Sequence, residues 1–215
     1  MTPQKDDRPP MELRHCAVGP WSLNAYALIC PSSGKSVLVD PGAEPSKLEK
    51  LLAGSRPMAI LVTHGHPDHI GALYDLRRRL NVPLMAWSGN FGGGKAMQTD
   101  RRLQDGDLLT VGEHQLKIYH TPGHTDDQLC IGPAGDHRIL VGDTIFEGGP
   151  GKTGSARGFQ QTLDTLRNIV LAWPDETICY PGHGPSFCLG HRRGAIERFL
   201  QKDHGAFYGD ATWEM

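Results

Sequence analysis

No Cys-x-x-Cys pair occurs among the five cysteines, Cys16, Cys30, Cys130, Cys179 and Cys188, and their number is odd. That supports neither a disulfide framework nor a thiolate zinc site. No apolar run approaches the roughly 18 residues of a membrane span, and residues 1–11 are polar and proline-rich, without the apolar stretch of a secretory leader. The expectation is a reduced, cytoplasmic protein with no membrane partner. An excess of one charge is missing too: 22 Lys and Arg against 24 Asp and Glu leave a formal charge of -2. Phosphate backbones need clustered positive charge, so nucleic acid is not expected as a partner. The triplet Arg77-Arg78-Arg79 reads as a solvated helix end. The glycine-rich stretch Ser88–Lys95 lacks both the strand-then-helix setting and the Gly-Lys-Ser/Thr ending of a phosphate loop. It reads instead as a mobile loop lining a substrate entrance.

What is present is an ordinary globular composition, 38% hydrophobic and 21% charged over 215 residues. Such a length favours one large domain, here residues 12–215, behind a disordered terminus of residues 1–11. Short β-rich runs at Leu13–Val18, Leu23–Ile29 and Ser36–Val39 are broken by Gly and Pro. A helix of about ten residues from Pro45 leads to a buried strand at 58–62. Ile70, Leu73, Leu76 and Leu80 then recur at helical spacing. A strand at Pro83–Ala86 and two hairpins, Asp107–Val111 with Gln115–Tyr119 and Gln128–Ile131 with Arg138–Val141, come next. Phe159, Leu163, Leu166, Val170 and Trp173 mark an amphipathic helix. A strand at Thr177–Tyr180 and a helix over Arg192–Asp203 end the chain. Strands and amphipathic helices alternate in two halves without a repeat, so two sheets carrying helices on their outer faces would bury every apolar stripe.

Directly after the apolar run 58–62 stands Thr63-His64-Gly65-His66-Pro67-Asp68-His69. Neutral imidazole and carboxylate are ligands for zinc or iron, and a strand end gives such ligands a rigid base while leaving the site open. Three further glycine-flanked strand-end groups follow: Gly123-His124-Thr125, Gly142-Asp143-Thr144 and Gly182-His183-Gly184. His120, four residues before His124, is a candidate for orienting a ligand.

This constellation resembles the metallo-β-lactamase superfamily over nearly all of residues 12–190. The resemblance implies an α/β fold, a four-layer αββα sandwich with metals in a cleft along one edge of the sheets. It implies His64, His66 and His124 on one divalent ion, Asp68, His69 and His183 on a second, and Asp143 bridging, with Asp68 and Asp143 as catalytic carboxylates. Zinc is the expected ion, and iron or manganese satisfies the same donors. Asp143–Lys152 is similar to the corresponding segment of glyoxalase II (hydroxyacylglutathione hydrolase), which implies that Lys152 binds substrate. The chain departs from that family in having only a short tail after His183, and Gly154 where the family places an aromatic. The expected activity is that of a short glyoxalase II-like hydrolase, cleaving small-molecule thioesters or related esters and lactones by a metal-bound hydroxide. The alternative is a persulfide dioxygenase using one iron held by His64, His124 and Asp143.

Overall fold

Along a strand, successive side chains point to opposite faces, so a strand between two apolar layers shows two interleaved sets of buried residues. The run after Arg56 behaves in this way. Ala59 and Leu61 join one buried cluster, while Ile60 and Val62 join another. Ile60, Leu61 and Val62 each contribute roughly 2 kcal/mol on burial. A one-residue slip would exchange the two sets and forfeit the fit on both faces, and this fixes the register.

The computed structural model describes residues 9–91 and 95–215. The first half comprises β1 (Glu12–Val18), β2 (Leu23–Ile29), β3 (Lys35–Val39), α1 (Pro45–Leu51), β4 (Arg56–Leu61), α2 (Pro67–Ile70), α3 (Leu73–Leu80), β5 (Leu84–Ala86) and β6 (Arg101–Arg102). The second comprises β7 (Leu108–Val111), β8 (His114–His120), β9 (Leu129–Pro133), β10 (Arg138–Gly142), β11 (Ile145–Phe146), β12 (Gly149–Pro150), α4 (Ala156–Asn168), β13 (Ile178–Pro181), β14 (Phe187–Cys188) and α5 (Gly190–Gln201). Two six-stranded sheets result, ordered β1-β2-β3-β4-β5-β6 and β14-β13-β10-β9-β8-β7.

Three buried clusters define the layers. Leu48, Leu73 and Leu76 of α1 and α3 pack on Ala25, Ala27, Leu38 and Ile60 at the outer face of the first sheet. Leu28, Val39 and Leu61 meet Leu116, Ile118, Leu129 and Ile131 between the sheets. Phe159, Leu163 and Leu166 of α4, with Ile196 and Phe199 of α5, cover Cys130, Ile139 and Val141 of the second sheet. This is the expected αββα sandwich. No helix among the described residues is long and apolar enough to cross a membrane.

Several boundaries differ from the sequence expectation. The helix expected through Ile70 and Leu73 is two helices, broken at Gly71-Ala72. A Cβ on Gly71 would lie 2.3 Å from the Gly42 carbonyl, and the Ala72 N–H donates to the Pro41 carbonyl, so the backbone there packs on the loop after β3. The amphipathic stripe ending at Trp173 is carried by α4 and a separate 3-10 turn at Val170–Ala172. Residues 1–8 of the expected disordered terminus lie outside the described residues, and Met11, assigned to that terminus, is a buried member of the core. Gly92, Gly93 and Gly94 of the expected entrance loop also lie outside the described residues. The arginine triplet is locally engaged: Arg77 binds Asp100, Arg79 binds Glu49, and Arg78 lies over the Tyr74 ring.

Strand direction places the site. β3 and β4 are parallel, as are β10 and β13, so Asp40, the His64 loop, Asp143 and His183 all follow strands that end at one edge of the sandwich. β9 runs antiparallel to both β8 and β10, so the loop after β8, which carries His124, leaves from that same edge.

Candidate metal centre

All seven expected metal ligands converge at this edge, in three overlapping sets. His64, His66 and His124 offer donor atoms within 4.8 Å of one another, as do Asp68, His69 and His183, and as do His64, His69 and Asp143. His66 Nδ1 lies 3.0 Å from His64 Nε2 and 2.9 Å from His124 Nε2. Asp68 Oδ2 lies 3.0 Å from His183 Nε2. Between the two groups stands Asp143, with carboxylate oxygens 3.5 Å from His69 Nε2, 3.6 Å from His124 Nε2 and 3.8 Å from His183 Nε2.

The second nitrogen of four of these rings fixes which nitrogen faces inward. His124 Nδ1 donates to the Lys152 carbonyl at 2.7 Å, and His183 Nδ1 donates to the Trp21 carbonyl at 3.0 Å. His69 Nδ1 donates to Asp40 Oδ2 at 2.9 Å. The Thr63 hydroxyl spends its only proton on Asp40 Oδ2, so its lone pair accepts from His64 Nδ1 at 3.2 Å. Each of these four imidazoles is thereby held with Nε2 turned into the cluster, the nitrogen a metal would take.

Buried charge adds to this. Burial, followed by His69 and the other neighbouring imidazoles, holds His64 well below the ordinary histidine range, so it stays neutral. Burial also depresses His124, opposed by Asp143 and the Lys152 carbonyl. Burial disfavours charge on His69 as well, but the Asp40 and Asp143 carboxylates outweigh it and raise its pKa to about 10. The cleft thus favours positive charge at that nitrogen. His69 Nε2 and Asp143 Oδ1 are both buried without a hydrogen-bond partner, a cost that a cation between such groups removes. The donor set, its common orientation and these two orphaned atoms fit divalent metal.

Residues 18–183 match the family model of the metallo-beta-lactamase superfamily. The chain belongs to that superfamily. Members of the metallo-beta-lactamase superfamily are mostly metal-dependent hydrolases that bind divalent ions. The probable metallo-hydrolase YqgX of Bacillus subtilis is 32% identical over 194 residues, covering 81% of this chain and 91% of that protein. A hydroxyacylglutathione hydrolase of Rhodopseudomonas palustris is 33% identical over 164 residues, covering 74% of this chain but only 61% of that enzyme. Among solved structures, TTHA1623 in a di-iron-bound form superposes with a TM-score of 0.68 at 28% identity, covering 84% of this chain and 96% of that one.

As in the superfamily pattern, the ligand loops are glycine-flanked, and Gly182 shows why. A Cβ there would stand 2.3 Å from Asp143 Oδ1 and 2.8 Å from His69 Cε1, inside the space between the two donor groups. Gly182→Ala is therefore expected to cost about 1–3 kcal/mol of stability through overpacking and to weaken metal binding. Thermal melts with and without added zinc read both effects.

The structure also places two other candidates from the sequence. His120 does not orient His124: its ring stacks on Trp87 at 3.6 Å, and its Nε2 bonds the Asp126 carbonyl. Lys152 reaches the site through its carbonyl, while its ammonium forms an exposed ion pair with Asp210 at 3.2 Å. A pair of that kind is worth little and leaves the ammonium available to a competing carboxylate.

Other positioning residues carry little signal as site residues. Asp40 is buried and holds the Thr63 N–H, the Thr63 hydroxyl and His69 together. Asn24 bonds the Pro181 and Gly184 carbonyls and the Tyr26 hydroxyl bonds Pro181, so β2 of the first sheet fixes the His183 loop of the second. The one available hint was Asp40-Pro41-Gly42, a carboxylate at a strand end like the ligand groups themselves.

Proposed function

We propose that this chain is a dinuclear metal-dependent hydrolase of thioesters, or of related esters and lactones. The observation that carries the reading is the pair of donor groups flanking one shared carboxylate, Asp143. In this reading His64, His66 and His124 would hold one ion, Asp68, His69 and His183 the other, and Asp143 would serve both. Divalent ions held there lower the pKa of water toward neutrality and polarise the carbonyl under attack.

The chain's own groups do the rest. Asp40, Thr63 and the two backbone carbonyls keep the imidazoles in one tautomer and one orientation. Asp68, the more exposed of the two carboxylates, would take the proton that the attacking water releases on the oxygen not engaged by the ion and pass it to solvent. The carbon–sulfur bond breaks and a thiolate departs. With a thiol pKa of about 8.5 it needs little help from a general acid. Lys152 beside His124 suits an anionic thiol carrier as a point charge.

The competing reading is a persulfide dioxygenase, with a single iron held by His64, His124 and Asp143. It leaves buried His69 Nε2 unexplained. Metal analysis of the purified protein tests both readings, combined with hydrolysis of lactoyl-glutathione and oxygen uptake with glutathione persulfide. Two ions per chain, thioester cleavage and no oxygen uptake are expected. One iron with oxygen uptake would overturn the hydrolase reading.

A further inference from the structure

The two flanks of the metal centre differ in chemistry. On one, His124 rests on the carbonyl of Lys152, beside the Lys152–Asp210 pair, so that border is charged. On the other, His183 rests on the carbonyl of Trp21, whose indole is 68% exposed. A tryptophan left in water forgoes the burial that normally holds so large a ring in place. Here it walls a pocket of about 100 Å³, lined by Val18, Trp21, Leu23, Ala43, Pro67 and Asp68. Asp68 is the one charged residue of that lining, and its Oδ2 is the atom 3.0 Å from His183 Nε2. The pocket is therefore apolar except on the side that meets the candidate metal centre.

We infer that this pocket receives an aliphatic acyl chain, so that the preferred substrate carries a short alkyl group on its carbonyl rather than a 2-hydroxyacyl group. The inference rests on the hydrolase reading. It assigns the acyl side to Trp21 and the thiol side to Lys152. Occupancy follows from size. A cavity of about 150 Å³ takes benzene, so one of about 100 Å³ holds about four carbons. A pentanoyl group fills it, an acetyl group leaves most of it empty, and a heptanoyl group overruns it.

The test uses the full-length, zinc-loaded protein and the carboxylate products acetate, pentanoate and heptanoate, with binding read by titration calorimetry. Pentanoate is expected to bind roughly 50-fold more tightly than acetate, from three additional buried methylenes, and heptanoate no more tightly than pentanoate. Ala43→Leu, which fills the pocket, should erase the gain. Trp21→Ala, at an exposed position that leaves the core intact, should cut it several-fold. Affinities independent of chain length, or a gain that survives Ala43→Leu, would overturn the inference. Thioester hydrolysis assayed in parallel separates the two readings. Turnover with flat binding overturns the pocket alone, whereas chain-length-dependent binding without turnover overturns the hydrolase and keeps the pocket.

Discussion

Asp143→Ala is expected to lower thioester turnover by about a thousandfold and to leave the purified protein with less bound metal. Asp143 is the group within 4 Å of imidazoles from both donor sets, at 3.5 Å, 3.6 Å and 3.8 Å from His69, His124 and His183. Burial raises its carboxyl pKa, but His69 first, then His124 and His183, outweigh that and hold it below the ordinary carboxylate range. It therefore stays ionised at neutral pH. A carboxylate shared by two ions contributes to both, and losing about 4 kcal/mol of transition-state charge stabilisation corresponds to about a thousandfold in rate. Asp143→Asn keeps the volume and removes only the charge, which separates chemistry from folding. It should match the alanine variant in rate while melting closer to wild type. Metal analysis and steady-state kinetics on both variants decide, and a wild-type rate in either would remove Asp143 from its assigned role.

What the sequence disclosed and what it hid follow one physical line. Strands β2 and β9 were legible because a strand packed on both faces is an apolar run bounded by turn residues. The two-residue strands β6, β11, β12 and β14 are too short to show any period. The candidate ligands were legible because His64, His66, Asp68 and His69 crowd one loop and each of the others follows a glycine. Their orienting partners were hidden because those contacts exist only in the fold. Asp40 lies 29 positions before His69, and Trp21 lies 162 before His183. Trp21 acts there through its carbonyl, a group that side-chain patterns cannot report. His120 shows the same limit. Four positions from His124 places it near in sequence, yet the strand it ends carries its ring toward Trp87.

Asp40 carries the other large prediction. Its left-handed backbone, φ 54, is one that Asn tolerates equally, so Asp40→Asn changes little in the main chain. The change lies in the proton inventory. Asp40 accepts from the Thr63 N–H at 2.8 Å, the Thr63 hydroxyl at 2.7 Å and His69 Nδ1 at 2.9 Å. An amide that keeps its oxygen on the Thr63 N–H presents an NH₂ where Oδ2 stood, and that group only donates. His69 must then turn a lone pair to it at Nδ1 and carry its proton on Nε2, the atom 3.5 Å from Asp143. A protonated Nε2 cannot bind metal. The Thr63 hydroxyl, no longer able to donate to residue 40, is free to donate to His64 Nδ1, which pushes that ring toward the wrong tautomer too. A loss of about 10–100-fold in zinc affinity is expected, the usual size of an effect one contact away from the ligands. Asp40→Ala adds instability, since each buried donor it strands costs about 1–3 kcal/mol. Zinc titration and thermal melts separate the two variants: Asn should lose affinity with little change in melting, and Ala should lose both. Wild-type zinc affinity in Asp40→Asn would mean that this carboxylate does not set the tautomer of His69.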